Sequence, residues 1–341
     1  MVTICSILNI KKHFSISKRD NNLSIFPSSR FIFVLLSPEI VIQELMLKKI
    51  KPYMMPIAMT LGAVFYQFFG ALSFLTPYLI FVMLFLTYCN LNLKEVRLSH
   101  LHLWLILIQI FGSMAVFLLL NPFNTTLAQG AMICVLASTG TAAPVVTGML
   151  KGNVASVTAY SLLSNMCVAV VAPVIFSLIG SYQTMPFFES FVAIAQRVLL
   201  LLLLPFGLAL FLRKITPVVT DKIGSFSGFS FYVWSLALAV VTGRTIEFMM
   251  MQDRSNYIVE ILIAVAAMVM CVSQFIVGRK IGKHYDDTVA GGQSLGQKNT
   301  ILAIWMAQMY LNPIASIGPG SYVLWQNMIN SYQVWRKRKS L

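Results

Sequence analysis

Charge is scarce in this chain, and acid is scarcer still. Only 11% of the 341 residues are Asp, Glu, Lys or Arg, the acidic ones number 11, and 58% are apolar. No soluble core absorbs that share of apolar side chains. The polar residues fall in short clusters between apolar runs long enough to span a bilayer, so an all-α integral membrane protein is expected. Cysteine is equally thin. Cys5, Cys89, Cys134, Cys167 and Cys271 show no CxxC or metal-ligand spacing, and four of the five lie in apolar runs, where they read as small buried hydrophobes. The sequence offers no nucleophile and base pair, phosphate-cradling glycine loop or zinc spacing, so no enzyme chemistry is expected. The net charge of +14 does not point to nucleic acid, because most basic residues sit in short loops and tails, the pattern of membrane topology.

Residues 1–45 differ from the rest of the chain. Ser, Asn, Lys and Arg dominate up to Arg30, and Phe31 to Leu36 is too short to span, so this stretch reads as a disordered or mis-assigned extension. Met46-Leu-Lys-Lys-Ile-Lys-Pro52 looks like a bacterial start followed by a basic cytoplasmic edge. From there about ten spans are expected, near 53–70, 74–91, 99–120, 127–150, 153–180, 188–212, 225–244, 256–278, 287–311 and 315–335. Connections are short, which leaves no room for a soluble domain.

The basic residues set the orientation. Lys48, Lys49 and Lys51 precede the first span, and Lys94 and Arg97 follow the second. Lys151, the group Arg213, Lys214 and Lys222, the group Arg279, Lys280 and Lys283, and Arg336 to Lys339 fall on the same side. The opposite turns near Gly70, Pro122 and Asn312 carry none, and Arg244 and Arg254 are partly offset by Glu247 and Asp253. A multi-pass protein of the inner cell membrane with both termini cytoplasmic is the expectation. An odd number of spans in each half, 46–185 and 186–341, makes the two five-helix repeats inverted.

Two of the ten spans are interrupted. The fourth contains Ala137-Ser-Thr-Gly-Thr-Ala-Ala-Pro144, and the ninth contains Gly291-Gly-Gln-Ser-Leu-Gly-Gln-Lys-Asn299. Small residues are common where membrane helices pack closely, which is the plainer explanation of either stretch alone. Non-helical backbone at membrane depth is tolerated where it is buried in protein or lines a cavity, and a matched pair of interrupted helices marks a transporter site at the repeat interface. Lys298 adds a cation to the second break, although a lysine near mid-bilayer costs about 2.5–3.5 kcal/mol on insertion scales.

On these residues the chain resembles the bile acid:sodium symporter family. The resemblance rests on Gly140-Thr141-Ala142 followed by Lys151-Gly152-Asn153-Val154-Ala155, on Gly296 to Asn299, and on the ten-span plan, and it covers about residue 46 to the C-terminus. It implies a core of spans three to five and eight to ten, in which the fourth and ninth cross as broken helices. Spans one, two, six and seven would form a panel. Family members import organic anions such as bile acids together with sodium. The carry-over is incomplete. Where the family has Ser-Asn after Gly-Thr-Ala, this chain has Ala143 and Pro144; where it has Glu-x-Gly-x-Gln-Asn, this chain has Ser294-Leu295-Gly296-Gln297-Lys298-Asn299. The carboxylate that would bridge two sodium ions is gone, and a lysine has arrived. Gln109 is the glutamine that the resemblance implies on the third span, and Ser161 or Thr158 of the fifth can offer a hydroxyl.

None of the acidic residues is expected deep in a span, whereas a dehydrated sodium ion favours hard oxygen ligands and is easier to hold beside a carboxylate. Sodium is therefore the alternative, and no other cofactor is expected. Lys298 can stand in its place, its three donors satisfying carbonyl ends of the broken helices, with Gln109, Gln293, Gln297 and Asn299 as neighbours. Ser294, Thr139 and Thr141 complete the candidate site. Such a lysine either stays a fixed cation or exchanges a proton during the cycle; the plainer reading is a lysine that snorkels to the interface.

Other candidates are weaker. Asp286-Asp287 is similar to the acidic pairs of intramembrane prenyltransferases but lacks a second acidic cluster, so a solvated loop end is expected. His100 and His102 suit an interfacial position, Arg197 a snorkelling one, and Trp104, Trp234, Trp305, Trp325 and Trp335 a belt or packing role. Two function classes remain: a secondary transporter of small organic anions, or an intramembrane enzyme or sensor on a similar fold, which would call for clustered intramembrane acids and histidines. A steroid acid, a keto acid and a pantoate-like acid all suit the expected site. The lipid bilayer is the other expected partner; oligomeric state is not legible.

Overall fold

A segment inside lipid must satisfy its backbone N–H and C=O groups internally, which leaves the helix as the economical form for a chain this apolar. The computed structural model describes residues 54–91, 97–180, 185–225, 227–251 and 257–339, and among these no strand occurs. The expected extension at 1–45 lies outside the described residues.

The helices are α1 (Met54–Val64), α2 (Tyr66–Ala71), α3 (Thr76–Cys89), α4 (His100–Leu120), α5 (Thr125–Leu136), α6 (Ala143–Met149) and α7 (Val154–Ile179). The second half holds α8 (Phe187–Ile215), α9 (Pro217–Ser225), α10 (Ser227–Met250), α11 (Tyr257–His284), α12 (Thr288–Gly296), α13 (Thr300–Tyr310) and α14 (Ile317–Lys339). The turn expected near Gly70 is the short 3-10 helix Leu72–Leu75. Among the described residues, six helical runs are long and apolar enough to cross a membrane: Tyr66–Cys89, α4, α7, α8, Tyr232–Met250 within α10, and α11.

Local sequence explains where the helices start and stop. Asn124, Asn153 and Asn299 cap α5, α7 and α13, each side-chain oxygen accepting a first-turn N–H, from Leu127 at 2.9 Å, Ser156 at 3.1 Å and Leu302 at 3.3 Å. Pro144 sits in the first turn of α6, where a missing N–H costs nothing. The turn after α6 passes through Lys151 at φ 58°, and the Gly152 N–H returns to the Thr147 carbonyl at 2.9 Å.

Packing relies on close backbone approach. A Cβ at Gly278 would lie 2.3 Å from the Gly291 carbonyl oxygen, and one at Gly291 would lie 2.3 Å from that of Gly278, so α11 and α12 touch backbone to backbone. The main core cluster joins α3, α5, α7, α8, α10 and α13 through residues such as Leu84, Met132, Phe176, Leu202, Leu238 and Ile304. Large apolar side chains such as Phe111, Leu119, Leu200, Phe211, Ile258 and Ile261 face outward, as a lipid-facing surface requires.

Two polar side chains near helix starts are buried. His102, on the first turn of α4, is buried against its neighbours at 1% exposure. Its Nδ1 accepts the Ser99 N–H at 3.2 Å, and its Nε2 lies 3.0 Å from Ser156 Oγ, so the ring ties the start of α4 to that of α7. Glu260, 7% exposed, lies on the first turn of α11 and so not deep in that helix. Cys89, Cys134 and Cys271 are buried free thiols and Cys167 is half-buried, while Cys5 lies outside the described residues.

Candidate functional site

A helix leaves its last four carbonyls without intrahelical partners, and inside a membrane protein those oxygens need donors. α5 ends at Leu136 in the middle of the bundle, and side chains from three other segments serve its end. Gln274 Nε2 of α11 donates to the Cys134 carbonyl at 3.2 Å, and Lys298 Nζ donates to Val135 at 2.9 Å. Gln109 Nε2 of α4 donates to Leu136 at 2.7 Å and to Ala137 at 3.1 Å. A cationic side chain at a helix C-terminus also meets the negative end of the macrodipole.

α12 ends at Gly296 against the same place. Thr139 Oγ1 donates to the Ser294 carbonyl at 2.6 Å, Tyr322 Oη of α14 to Gly296 at 2.8 Å, and the Gly140 N–H to Gln297 at 2.9 Å. The Asn299 N–H returns a bond to the Ser138 carbonyl at 2.7 Å, so Thr139 and Lys298 face each other as an isolated antiparallel bridge. Gly140 is required there, because a Cβ would stand 2.7 Å from the Lys298 carbonyl oxygen. The breaks at 137–142 and 297–299 are thus one structure, two short extended pieces that satisfy each other.

Buried polar groups surround this crossing. Gln109 Oε1 accepts from Tyr160 Oη at 2.8 Å and from Ser164 Oγ at 2.9 Å, and Ser164 Oγ also receives the Thr139 N–H at 3.2 Å. Ser161 Oγ reaches the Thr139 carbonyl at 3.4 Å. From α14, Gln326 Oε1 accepts the Lys298 N–H at 2.8 Å, and Asn330 Nδ2 donates to Gln297 Oε1 at 3.2 Å. Gln293 Nε2 donates to Asn330 Oδ1 at 3.0 Å and to Gln333 Oε1 at 3.3 Å, and Gln333 Oε1 also accepts from Arg279 at 3.0 Å. Ser138 Oγ, Ser294 Oγ, Asn165 Oδ1 and Gln293 Oε1 are buried without a bonding partner.

Of the residues expected from sequence, Lys298, Asn299, Gln297, Ser294, Gln293, Gln109, Thr139 and Ser161 come together here, all buried. Lys298 is 3% exposed, so it does not snorkel. Thr141 is half-buried at the edge of the first break, outside this set of bonds. Thr158 turns away, its hydroxyl donating to its own helix at Val154, 2.8 Å off. Sequence reasoning does not single out Tyr160, Ser164, Gln274, Tyr322, Gln326 or Asn330. A signal exists for three of them: Tyr322, Gln326 and Asn330 recur every fourth residue and draw a polar stripe down one side of α14.

The fold and the crossing define a class, a helical protein with several helices long and apolar enough to cross a membrane and two short broken pairs joined at a buried polar centre. Neither models of known protein families nor characterised protein sequences give a match to this chain.

Proposed function

We propose that this protein is a secondary transporter of small organic anions that works by alternating access, with Lys298 standing where relatives of similar plan would hold sodium. The observation that carries the reading is the Lys298 Nζ bond of 2.9 Å to Val135, which puts a buried amine on the C-terminal carbonyls of a helix that ends inside the bundle. Broken helices of this kind carry substrate and ion sites in transporters, because unwound backbone offers carbonyls and amides where lipid-facing helix cannot. A buried lysine supplies a positive charge without a solution ion, and that charge suits an anionic substrate.

The same reading gives the chain ten spans in two inverted repeats, 46–185 and 186–341, in the inner membrane with both termini cytoplasmic. The broken pairs α5/α6 and α12/α13 are its equivalent elements. The core is α4 to α7 with α11 to α14, moving against a panel of α1 to α3, α8 and α10. This plan is the one implied by the resemblance to the bile acid:sodium symporter family, and a catalytic function forms no part of it.

A second reading, sodium symport, draws on the partnerless oxygens of Ser138, Ser294 and Asn165. The donor set fits sodium poorly. All three are neutral, and the buried carboxylate among the described residues, Glu260, lies on the first turn of α11 away from the crossing. Uptake of a steroid acid, a keto acid and a pantoate-like acid into proteoliposomes, with sodium present or replaced by choline, separates the readings. Uptake that persists in choline and is lost in Lys298→Met supports the lysine. Sodium-dependent uptake that survives Lys298→Met overturns it. The pH profile then tells a fixed cation from one that exchanges protons: Lys298→Arg, which keeps its charge, flattens the profile only in the second case.

A further inference from the structure

We infer that Gln326 is a positioning residue for Lys298, holding the backbone of that residue out of the helix so that its amine is delivered to the end of α5. The inference rests on the proposed role of Lys298 as the working cation, but its test does not.

Were α12 and α13 one continuous helix, the N–H of Lys298 would bond the carbonyl of Ser294 four residues back. Both halves of that bond have been taken by other elements. The acceptor, Ser294 C=O, receives Thr139 Oγ1 at 2.6 Å, and the donor, Lys298 N–H, goes to Gln326 Oε1 at 2.8 Å. Gln326 Nε2 also faces the Lys298 carbonyl oxygen at 3.5 Å, so one side-chain amide meets both polar groups of a single peptide residue, as a neighbouring strand would. On the opposite edge, the bonds that flank the Thr139 and Lys298 pair close the other side of the extended piece. The break is a three-membered sheet in miniature, with α14 supplying the third member from a side chain.

The rest of α14 works in the same direction. One turn before Gln326, Tyr322 Oη takes the Gly296 carbonyl at 2.8 Å, which a continuous helix would offer to the Thr300 N–H. One turn after it, Asn330 holds the side chain of Gln297 at 3.2 Å. Of these three side chains, Gln326 is the one that meets the backbone of Lys298 itself. Its removal leaves a buried donor and a buried acceptor without partners, and the residue either rewinds or opens. In both cases its side chain turns away from Val135.

The test is amide hydrogen exchange of the full chain in lipid nanodiscs, read at 297–299, for wild type, Gln326→Met and Gln326→Glu. Methionine keeps the volume and removes the amide; glutamate keeps an acceptor for the Lys298 N–H. We expect exchange at the Lys298 and Asn299 amides to accelerate at least tenfold in Gln326→Met, near wild-type protection in Gln326→Glu, and unchanged exchange in α4 and α10. Wild-type protection in Gln326→Met, or equal loss in both variants, overturns the proposal. If Gln326→Met does not fold, Gln326→Ala decides in its place: faster exchange at the Lys298 amide supports the positioning role, and wild-type protection refutes it. Because exchange reads the backbone and not uptake, a failed transport reading leaves this result standing, and the reverse.

Discussion

Lys298 and Val135, 163 residues apart in the chain, meet through a hydrogen bond of 2.9 Å from an amine to a main-chain carbonyl at the centre of the bundle. No side-chain carboxylate takes part, so the pair joins an amine to a helix end and not an acid to a base.

Replacing Lys298 by Met keeps most of the apolar stem and deletes the amine. The Val135 carbonyl then loses its donor, a cost of about 1–3 kcal/mol, small enough for a membrane protein to stay folded. Anion uptake is expected to fall at least tenfold while the melting temperature in detergent drops by only a few degrees. A Lys298→Gln, Ser294→Glu double variant is expected to introduce sodium-dependent uptake, measured against choline.

Thr139 and Lys298 sit opposite each other in a non-hydrogen-bonded antiparallel pair. Such pairs bring Cβ atoms to about 4.5–5.5 Å, within reach of a disulfide after small adjustment. A Thr139→Cys, Lys298→Cys double variant should crosslink under mild oxidant, detected as a linked peptide by mass spectrometry, whereas Thr158→Cys paired with Lys298→Cys should not.

Gln109 holds four partners at once, the carbonyls of Leu136 and Ala137 and the hydroxyls of Tyr160 and Ser164. Gln109→Leu strands all four, while Tyr160→Phe removes a donor and leaves Gln109 Oε1 its bond from Ser164. With each stranded buried group costing about 1–3 kcal/mol, Gln109→Leu should destabilise the protein by at least about 2 kcal/mol more than Tyr160→Phe in thermal unfolding. Equal losses would show that the amide is dispensable.

Gly140 and Gly320 make a matched comparison. A Cβ at 140 would collide with the main chain of Lys298 at 2.7 Å, whereas at Gly320 nothing lies within 4 Å. Gly140→Ala is expected to cost about 1–3 kcal/mol and to weaken protection of the Asn299 amide, because backbone cannot swing aside as a flexible side chain can. Gly320→Ala should be near neutral.

Much of this is legible in the sequence, because it is local. A chain with 58% apolar residues and 11% charged ones has little choice but helix in lipid. The clusters of Gly, Ser and Thr at 137–144 and of Gly and Gln at 291–299 interrupt helix by their own backbone freedom and side-chain chemistry, so both breaks and most of their polar residues can be named from sequence. The burial of His102 is not legible there, because it depends on its partner, Ser156 on another helix. Thr158 and Ser161 are indistinguishable as hydroxyls on one helix; they sit one turn apart, and only the packing of α7 against the first break selects Ser161. The polar stripe of Tyr322, Gln326 and Asn330 shows in the periodicity of α14, but periodicity does not say which buried peptide a stripe will meet. Sequence alone determined that this chain is helical, membrane-like and twice broken. The tertiary structure decided that the two breaks pair with each other, that Lys298 reaches Val135, and that Gln326 bonds its backbone, because hydrogen bonds between distant segments depend on how helices pack and not on any residue's neighbours in the chain.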